Sequence, residues 1–408
     1  MKFLIRRAEG ALAGSLSDDE RTNMRLEVAT TMIYGIFYAS VLTFTPVVLR
    51  RLGASADMLA VYNSLLFLGS LLTTFSVILM RRRRTRTVLL LFWFVARSLF
   101  LLCAIFTGAE WLIVLSALYW LLEGFVIPAY SRVMQKLYSD AVRGKVMSTV
   151  RMGQVSAILV ITPLAGWALD LWGHQVLFPL ASLIGVFSVL VFSYIRLEEG
   201  VLPPRQTKTI SDLLQIVKQD RRFDLHLLAF ALLGMGTMLA SPFYPIVQVD
   251  RLHLSYSQVG LLGLVESSLW LTSYLFWGRI LDRFGGVYVL ELVCLASMFI
   301  PASYIFASTP WLLIPAFIAR GIVAAGFDLG RINAGIQLAH NGQFIEYAAI
   351  QSTVVGIRGL LAPMLGLAFL HLGVPYNGVF AISVGLMGAG WLLYRWMDVP
   401  RDSVSVRQ

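Results

Sequence analysis

The chain has 408 residues, of which 58% are hydrophobic and only 14% charged, and its mean hydropathy is +0.74. A soluble domain carries about 25% charged residues, so this composition excludes an ordinary water-soluble fold. The 33 Lys and Arg against 23 Asp and Glu give a formal charge of +10, which in a soluble protein would suggest nucleic acid as a partner.

Cys103 and Cys294 both lie inside apolar runs and read as free core thiols, not as a disulfide framework. His174, His226, His253, His340 and His371 are scattered and show no metal-ligand spacing. The sequence contains no Walker A loop, no GxSxG and no HExxH. An ATP-driven pump and a hydrolase are thereby set aside. No cofactor or metal is expected, and the chain is not read as an enzyme.

Residues 1–26 form an N-terminal segment in which Lys2, Arg6 and Arg7 stand beside Phe3, Leu4 and Ile5. No cleavable apolar core follows directly, so it is not read as a signal peptide. It suits a short helix on the cytoplasmic membrane face. Ser17-Asp18-Asp19-Glu20 has capping-box spacing and marks a helix start. A membrane span needs about 20 apolar residues. Twelve such runs are predicted, at roughly 27–49, 57–80, 87–107, 111–131, 146–169, 175–195, 225–247, 258–277, 287–307, 311–330, 347–371 and 376–397. The fold class is therefore an all-α integral membrane protein. A polar linker at 197–223, with Pro203-Pro204, Lys208, Lys218, Arg221 and Arg222, separates two six-helix bundles, 27–196 and 224–397. Residues 398–408 form a tail.

The basic residues orient these spans. With the N-terminus inside, 26 Lys and Arg fall on the inner side, while Arg50, Arg51 and Arg251 fall outside. The positive-inside rule puts both termini in the cytoplasm of a cell-membrane protein. It also accounts for the +10 charge without nucleic acid. The two halves repeat at an offset of 200 residues. Arg51-Leu52-Gly53-Ala54-Ser55 echoes Arg251-Leu252-His253-Leu254-Ser255, and Trp111-Leu112 echoes Trp311-Leu312. Pro163-Leu164-Ala165-Gly166 echoes Pro363-Met364-Leu365-Gly366, and Gly173 echoes Gly373.

Ionisable residues inside spans carry most of the functional information, because each costs roughly 2.5–3.5 kcal/mol to insert without a partner. Arg97 in span three and Glu123 in span four lie at similar depth, given a rise of about 1.5 Å per residue, and can pair. Glu266, Arg320 and Arg358 in spans eight, ten and eleven lie near the midplane of the second half. For both groups the structural alternative is a static buried network. Tyr34 and Tyr38 are one turn apart on one face of span one, suited either to a cavity wall or to packing. Asn63, Gln154, Gln248, Asn333 and Gln351 are either substrate contacts or interhelical hydrogen bonds. Asp170 ends span five and is expected to be solvated. Trp111, Trp172, Trp311 and Trp391 read as interface anchors.

Between two apolar runs lies Gly278-Arg279-Ile280-Leu281-Asp282-Arg283-Phe284-Gly285, a predicted tight charged turn with glycine at both ends. Gly278, Leu281, Asp282, Arg283 and Gly285 resemble the G-x-L-A-D-R-x-G signature of the major facilitator superfamily (MFS) of secondary transporters. Ile280 replaces the preferred Leu, and Gly286-Val287 replaces the usual basic pair. The corresponding site in the first half is the basic run Arg81-Arg82-Arg83-Arg84. Parallel six-span repeats around a midplane site also resemble this superfamily. Ile161-Thr162-Pro163-Leu164-Ala165-Gly166-Trp167 fits its drug-antiporter signature less well, since the glycine before the proline and the second closing glycine are missing.

The resemblance implies a transporter that works by alternating access. It implies cavity-facing spans eight, ten and eleven, which would bring Glu266, Arg320 and Arg358 to the cavity wall. It implies a conformational latch of Gly278, Asp282, Arg283 and Gly285, with Asp282 near Arg151 and Arg283 facing Asp328. The expected partners are a small-molecule substrate, protons as coupling ion and the lipid bilayer, with the chain a monomer. Glu266 is the first candidate for coupling and Glu123 the second. The intramembrane arginines lean toward an anionic substrate. The alternatives are a multidrug or lipophilic-compound exporter, and a non-transporting receptor or scaffold.

Overall fold

The computed structural model describes residues 16–71, 85–197, 220–339 and 344–397. Expectations for the N-terminal segment before residue 16, the run Arg81–Arg84, most of the linker and the tail lie outside the described residues. Among those described, the elements are helical. We number them α1 (Asp18–Arg51), α2 (Ala56–Leu71), α3 (Thr85–Ala104), α4 (Ala109–Leu137), α5 (Asp140–Trp172), α6 (His174–Phe192), α7 (Arg221–Arg251), α8 (Tyr256–Phe306), α9 (Pro310–Leu338), α10 (Phe344–His371) and α11 (Tyr376–Trp396).

Local chemistry sets several of the ends. The capping box before α1 forms as its spacing requires: Glu20 N–H donates to Ser17 Oγ at 3.3 Å, and Ser17 N–H donates to Glu20 Oε2 at 2.8 Å. Asp18, Asp19 and Glu20 occupy the first turn, where carboxylates meet the positive end of the helix dipole. Asp220 caps α7 by accepting from the N–H groups of Arg222 and Phe223 at 3.0 and 3.1 Å. Asp170 is exposed, as expected, and has a structural role as well. At the end of α5 it accepts from the N–H groups of Tyr256 and Ser257 at 3.0 and 2.7 Å and so caps α8.

Ten helices among the described residues are long and apolar enough to cross a membrane. The gap between ten and the expected twelve has two sources. Only Ala56–Leu71 of the second expected span is described. The eighth and ninth expected spans run together in α8, a continuous 51-residue assignment broken only by the non-helical φ of 80° and ψ of 173° at Gly285.

That break corrects the predicted turn. Arg279 to Phe284 stay helical, because no breaker stands among them and Arg and Leu are good helix formers. Gly278 is a helical residue around which a Cβ would meet open space, so close approach does not require a glycine there. Gly285 bears the whole change of direction. Its backbone lies in a region open essentially to glycine alone, and a Cβ there would stand 2.7 Å from Gln337 Oε1. Gln337, at the end of α9, also accepts from Val287 N–H at 3.1 Å, tying the break to the neighbouring helix.

The offset repeat reappears in the backbone. Gly53 and His253 have φ of 88° and 48°, and Gly173 and Gly373 have 71° and 87°. The chain forms two compact units. Unit 1 comprises Met1–Met58, Leu65–Val201 and Leu254–Ser267; unit 2 comprises Leu59–Ser64, Leu202–His253 and Ser268–Gln408, each taken over its described residues. Unit 1 packs around Met24, Val28, Leu89, Trp93, Ala129, Val133 and Phe192. Unit 2 packs around Phe223, Phe230, Trp277, Val289, Leu290, Cys294 and Met387.

Gly285→Ala is expected to destabilise the protein by about 1–3 kcal/mol, the cost of a side chain in a glycine-only backbone region. Gly278→Ala should stabilise it by about 0.5–1 kcal/mol through helix propensity. Thermal unfolding in detergent checks both, and equal effects would remove the assignment of the break to Gly285.

Candidate functional site

The described site lies within unit 1, in a cavity of about 270 Å³. Five helices line it, four of them with pairs of residues at helical spacing that share a face. α1 contributes Thr30 and Tyr34, α3 Trp93 and Arg97, α4 Glu123 and Tyr130, and α5 Arg151 and Gln154, with Phe192 at the end of α6.

Arg97 is 2% exposed and held on several sides. Its Nη1 donates to Ser188 Oγ and, at 3.4 Å, to the Gly185 carbonyl. Its guanidinium carbon lies 4.4 Å from the centre of the Tyr34 ring and 4.7 Å from that of Trp93. A cation over an aromatic face gains about 2 kcal/mol when desolvated, so two rings offset part of the burial cost. The Tyr34 and Tyr119 hydroxyls are 2.8 Å apart and fix the first ring. The Trp93 and Tyr119 side chains come within hydrogen-bonding reach of the Glu123 carboxyl. The expected proximity of Arg97 and Glu123 is present as a shared cavity wall, while no hydrogen bond or ion pair joins them. Arg97 Nε, Glu123 Oε1 and Thr30 Oγ1 are each buried without a hydrogen-bond partner.

Glu27 escaped the sequence reading. It is fully buried in α1, and its carboxylate accepts from the hydroxyls of Tyr130 and, at 3.1 Å, Tyr138. Tyr130 in turn lines the cavity. The available signal was spacing: Glu27, Thr30, Thr31 and Tyr34 follow a three-, four- and seven-residue rhythm on one face. Glu27 is the first residue of the expected span 27–49, an edge position where an acid is ordinary.

The other candidates are dispersed. Tyr38 stands 6.2 Å from the Tyr34 ring, edge-on, at the π turn of α1. Arg358 is 7% exposed in unit 2. It donates to the Phe230 carbonyl and lies 4.2 Å over the Phe230 ring. The absent side chain of Gly234 makes room for it. Arg320 is half-buried, 5.2 Å over Phe317 in unit 2. Glu266 is half-buried in the part of α8 that belongs to unit 1. Gln248 donates to Tyr304 at 2.6 Å, and the Gln351 amide lies 2.7 Å from His226 Nε2, both between helices. Asn63 and Asn333 donate to carbonyls of their own helices, Leu59 and Leu329, at 2.8 Å.

Of the expected latch, Asp282 and Arg283 are exposed, and Arg283 lies 5.1 Å over Phe284. Asp328 accepts from Tyr274 at 2.7 Å. Arg151 donates to Gln154 at 3.0 Å within the cavity wall.

Glu27→Ala should cost about 1–3 kcal/mol, because it leaves two buried phenol hydroxyls without their acceptor. Glu27→Gln keeps an acceptor oxygen and should cost less. Equal unfolding temperatures for wild type and both variants would show that the Glu27 contacts contribute nothing.

The sequence model of the Major Facilitator Superfamily matches residues 28–341. An uncharacterized MFS-type transporter, YuxJ of Bacillus subtilis (strain 168), is 25% identical over 298 residues, covering 69% of this chain and 73% of that protein. Two crystal structures of the nucleoside transporter NupG share the fold. A point mutant of NupG has a TM-score of 0.71 at 13% identity, covering 92% of this chain and 100% of the other. The second NupG structure has a TM-score of 0.69 at 13% identity, covering 92% and 98%. With apolar helices fit to cross a membrane and a family match over most of its length, this chain is a multi-pass membrane protein and belongs to the Major Facilitator Superfamily of transporters.

Proposed function

We propose that the protein is a secondary active transporter that moves a small molecule by alternating access, driven by the proton gradient. The observation that carries this reading is the unit 1 cavity. It holds Arg97 and Glu123 inside an apolar helical bundle, each with an unsatisfied polar atom. Structural charge networks satisfy their members; a site that waits for a ligand does not. At about 270 Å³ the cavity is near the small end of ligand sites, which run from about 300 to 1,000 Å³. That size favours a small substrate over a large lipophilic drug.

Glu266 remains our assignment for the coupling carboxylate, with Arg320 and Arg358 as candidates for substrate or coupling contacts in unit 2. Glu123 is the second candidate. Asp282, Arg283, Arg151 and Asp328 serve as the latch, and both termini face the cytoplasm.

Proteoliposomes screened for uptake with and without an imposed pH gradient test the function. Gradient-stimulated accumulation is expected, and Glu266→Gln should lower it at least tenfold while exchange persists. If Glu266→Gln still concentrates substrate with an unaltered pH profile, Glu266 is not the coupling group. If no compound accumulates under any gradient, the transport reading fails. Orientation has its own test. In a variant without Cys103 and Cys294, a His253→Cys thiol should react with an impermeant reagent on intact cells and a Lys145→Cys thiol should not. The reverse pattern would invert the topology.

A further inference from the structure

We infer that the unit 1 cavity binds a small apolar zwitterion, with the ligand's cationic group on Glu123 and its anionic group on Arg97. This rests on the reading of the cavity as the substrate site and names the substrate class.

The argument starts from what is unsatisfied. Six residues among those described have a buried side-chain polar atom without a partner, and Thr30, Arg97 and Glu123 are three of them. All three line this one cavity. The two charged members are of opposite sign, share a wall and are not bonded to each other. A lone anion placed there would answer Arg97 and the second cation of the wall, Arg151, and leave Glu123 uncompensated, with a like charge brought beside it. A lone cation would do the reverse. Leaving one charge of a buried set without its complement is the expensive outcome. A ligand carrying both charges compensates both.

The site is also prepared for such a ligand. Ser188, Gly185 and the two ring faces hold the Arg97 guanidinium in one place before anything binds. Fixing the receptor in advance lowers the ordering cost of binding. Trp93, Phe192, Met147 and Val150 make one part of the wall apolar, beside the polar Thr31 and Arg151, whose guanidinium donates to Gln154 at 3.0 Å. The apolar part suits a hydrocarbon or ring substituent on the zwitterion, of a size set by the volume of about 270 Å³.

The test uses the purified full-length protein in detergent and reads binding by thermal shift and tryptophan fluorescence. L-Phenylalanine and L-leucine are the zwitterionic probes. 3-Phenylpropionate keeps only the carboxylate of the first, and 2-phenylethylamine keeps only its ammonium. We expect the amino acids to bind and each single-charge analogue to bind at least tenfold more weakly. Glu123→Gln should erase the preference over phenylpropionate, and Arg97→Gln the preference over phenylethylamine. The analogue series on the unmodified protein decides the matter even if either variant fails to fold. An analogue that binds as tightly as phenylalanine, or no binding by either amino acid, overturns the assignment. Because binding needs no gradient, zwitterion binding without transport would sink only the transport reading. Gradient-driven uptake of some compound without zwitterion preference would sink only this one.

Discussion

The guanidinium of Arg97 is the interaction on which the first helical unit depends. A buried cation in an apolar bundle loses several kcal/mol of hydration. Here no carboxylate bonds to it. A serine hydroxyl and a backbone carbonyl from α6 and two aromatic faces from α1 and α3 compensate it instead. That choice of partners binds three helices to one charge. It also draws in a ring cluster, in which Phe37, Phe100 and Tyr119 stand edge-on or tilted within 5.9 Å of one another and Tyr119 reaches back to Tyr34. Shifting any of these helices exposes or strands the cation, so the geometry of the cavity follows from the need to keep it covered.

The second unit reaches the same solution independently. Arg358 is also buried, also bonded to a carbonyl oxygen and also laid against an aromatic ring. Gly234 leaves space where any side chain would collide with it. Carbonyls and ring faces lack a net charge, so they compensate the cation without a second ion in the bundle. A carboxylate partner would lock the helices far more firmly.

Much of this was legible in the residues. Composition forced a membrane fold, and the capping box at Ser17 formed as written. Depth along a helix follows from rise per residue, so Arg97 and Glu123 came to one cavity as their positions in consecutive spans required. What depth does not contain is side-chain direction, and the partner of Arg97 proved to be Ser188, not a carboxylate. The charged segment before Gly285 misled for a different reason. Gly278 has the composition of a turn but the backbone of a helix, and glycine composition alone does not distinguish a breaker from a small residue facing open space. Glu27 was missed because an acid at the edge of an apolar run reads as a terminus until the tyrosines that receive it are placed beside it.

Position 253 records something about history. Its counterpart in the first half is Gly53, and both have positive φ, 48° for His253 and 88° for Gly53. For glycine that conformation is free; for histidine it costs on the order of 1 kcal/mol. If the halves descend from one duplicated ancestor, the backbone bend has outlasted the residue that made it easy.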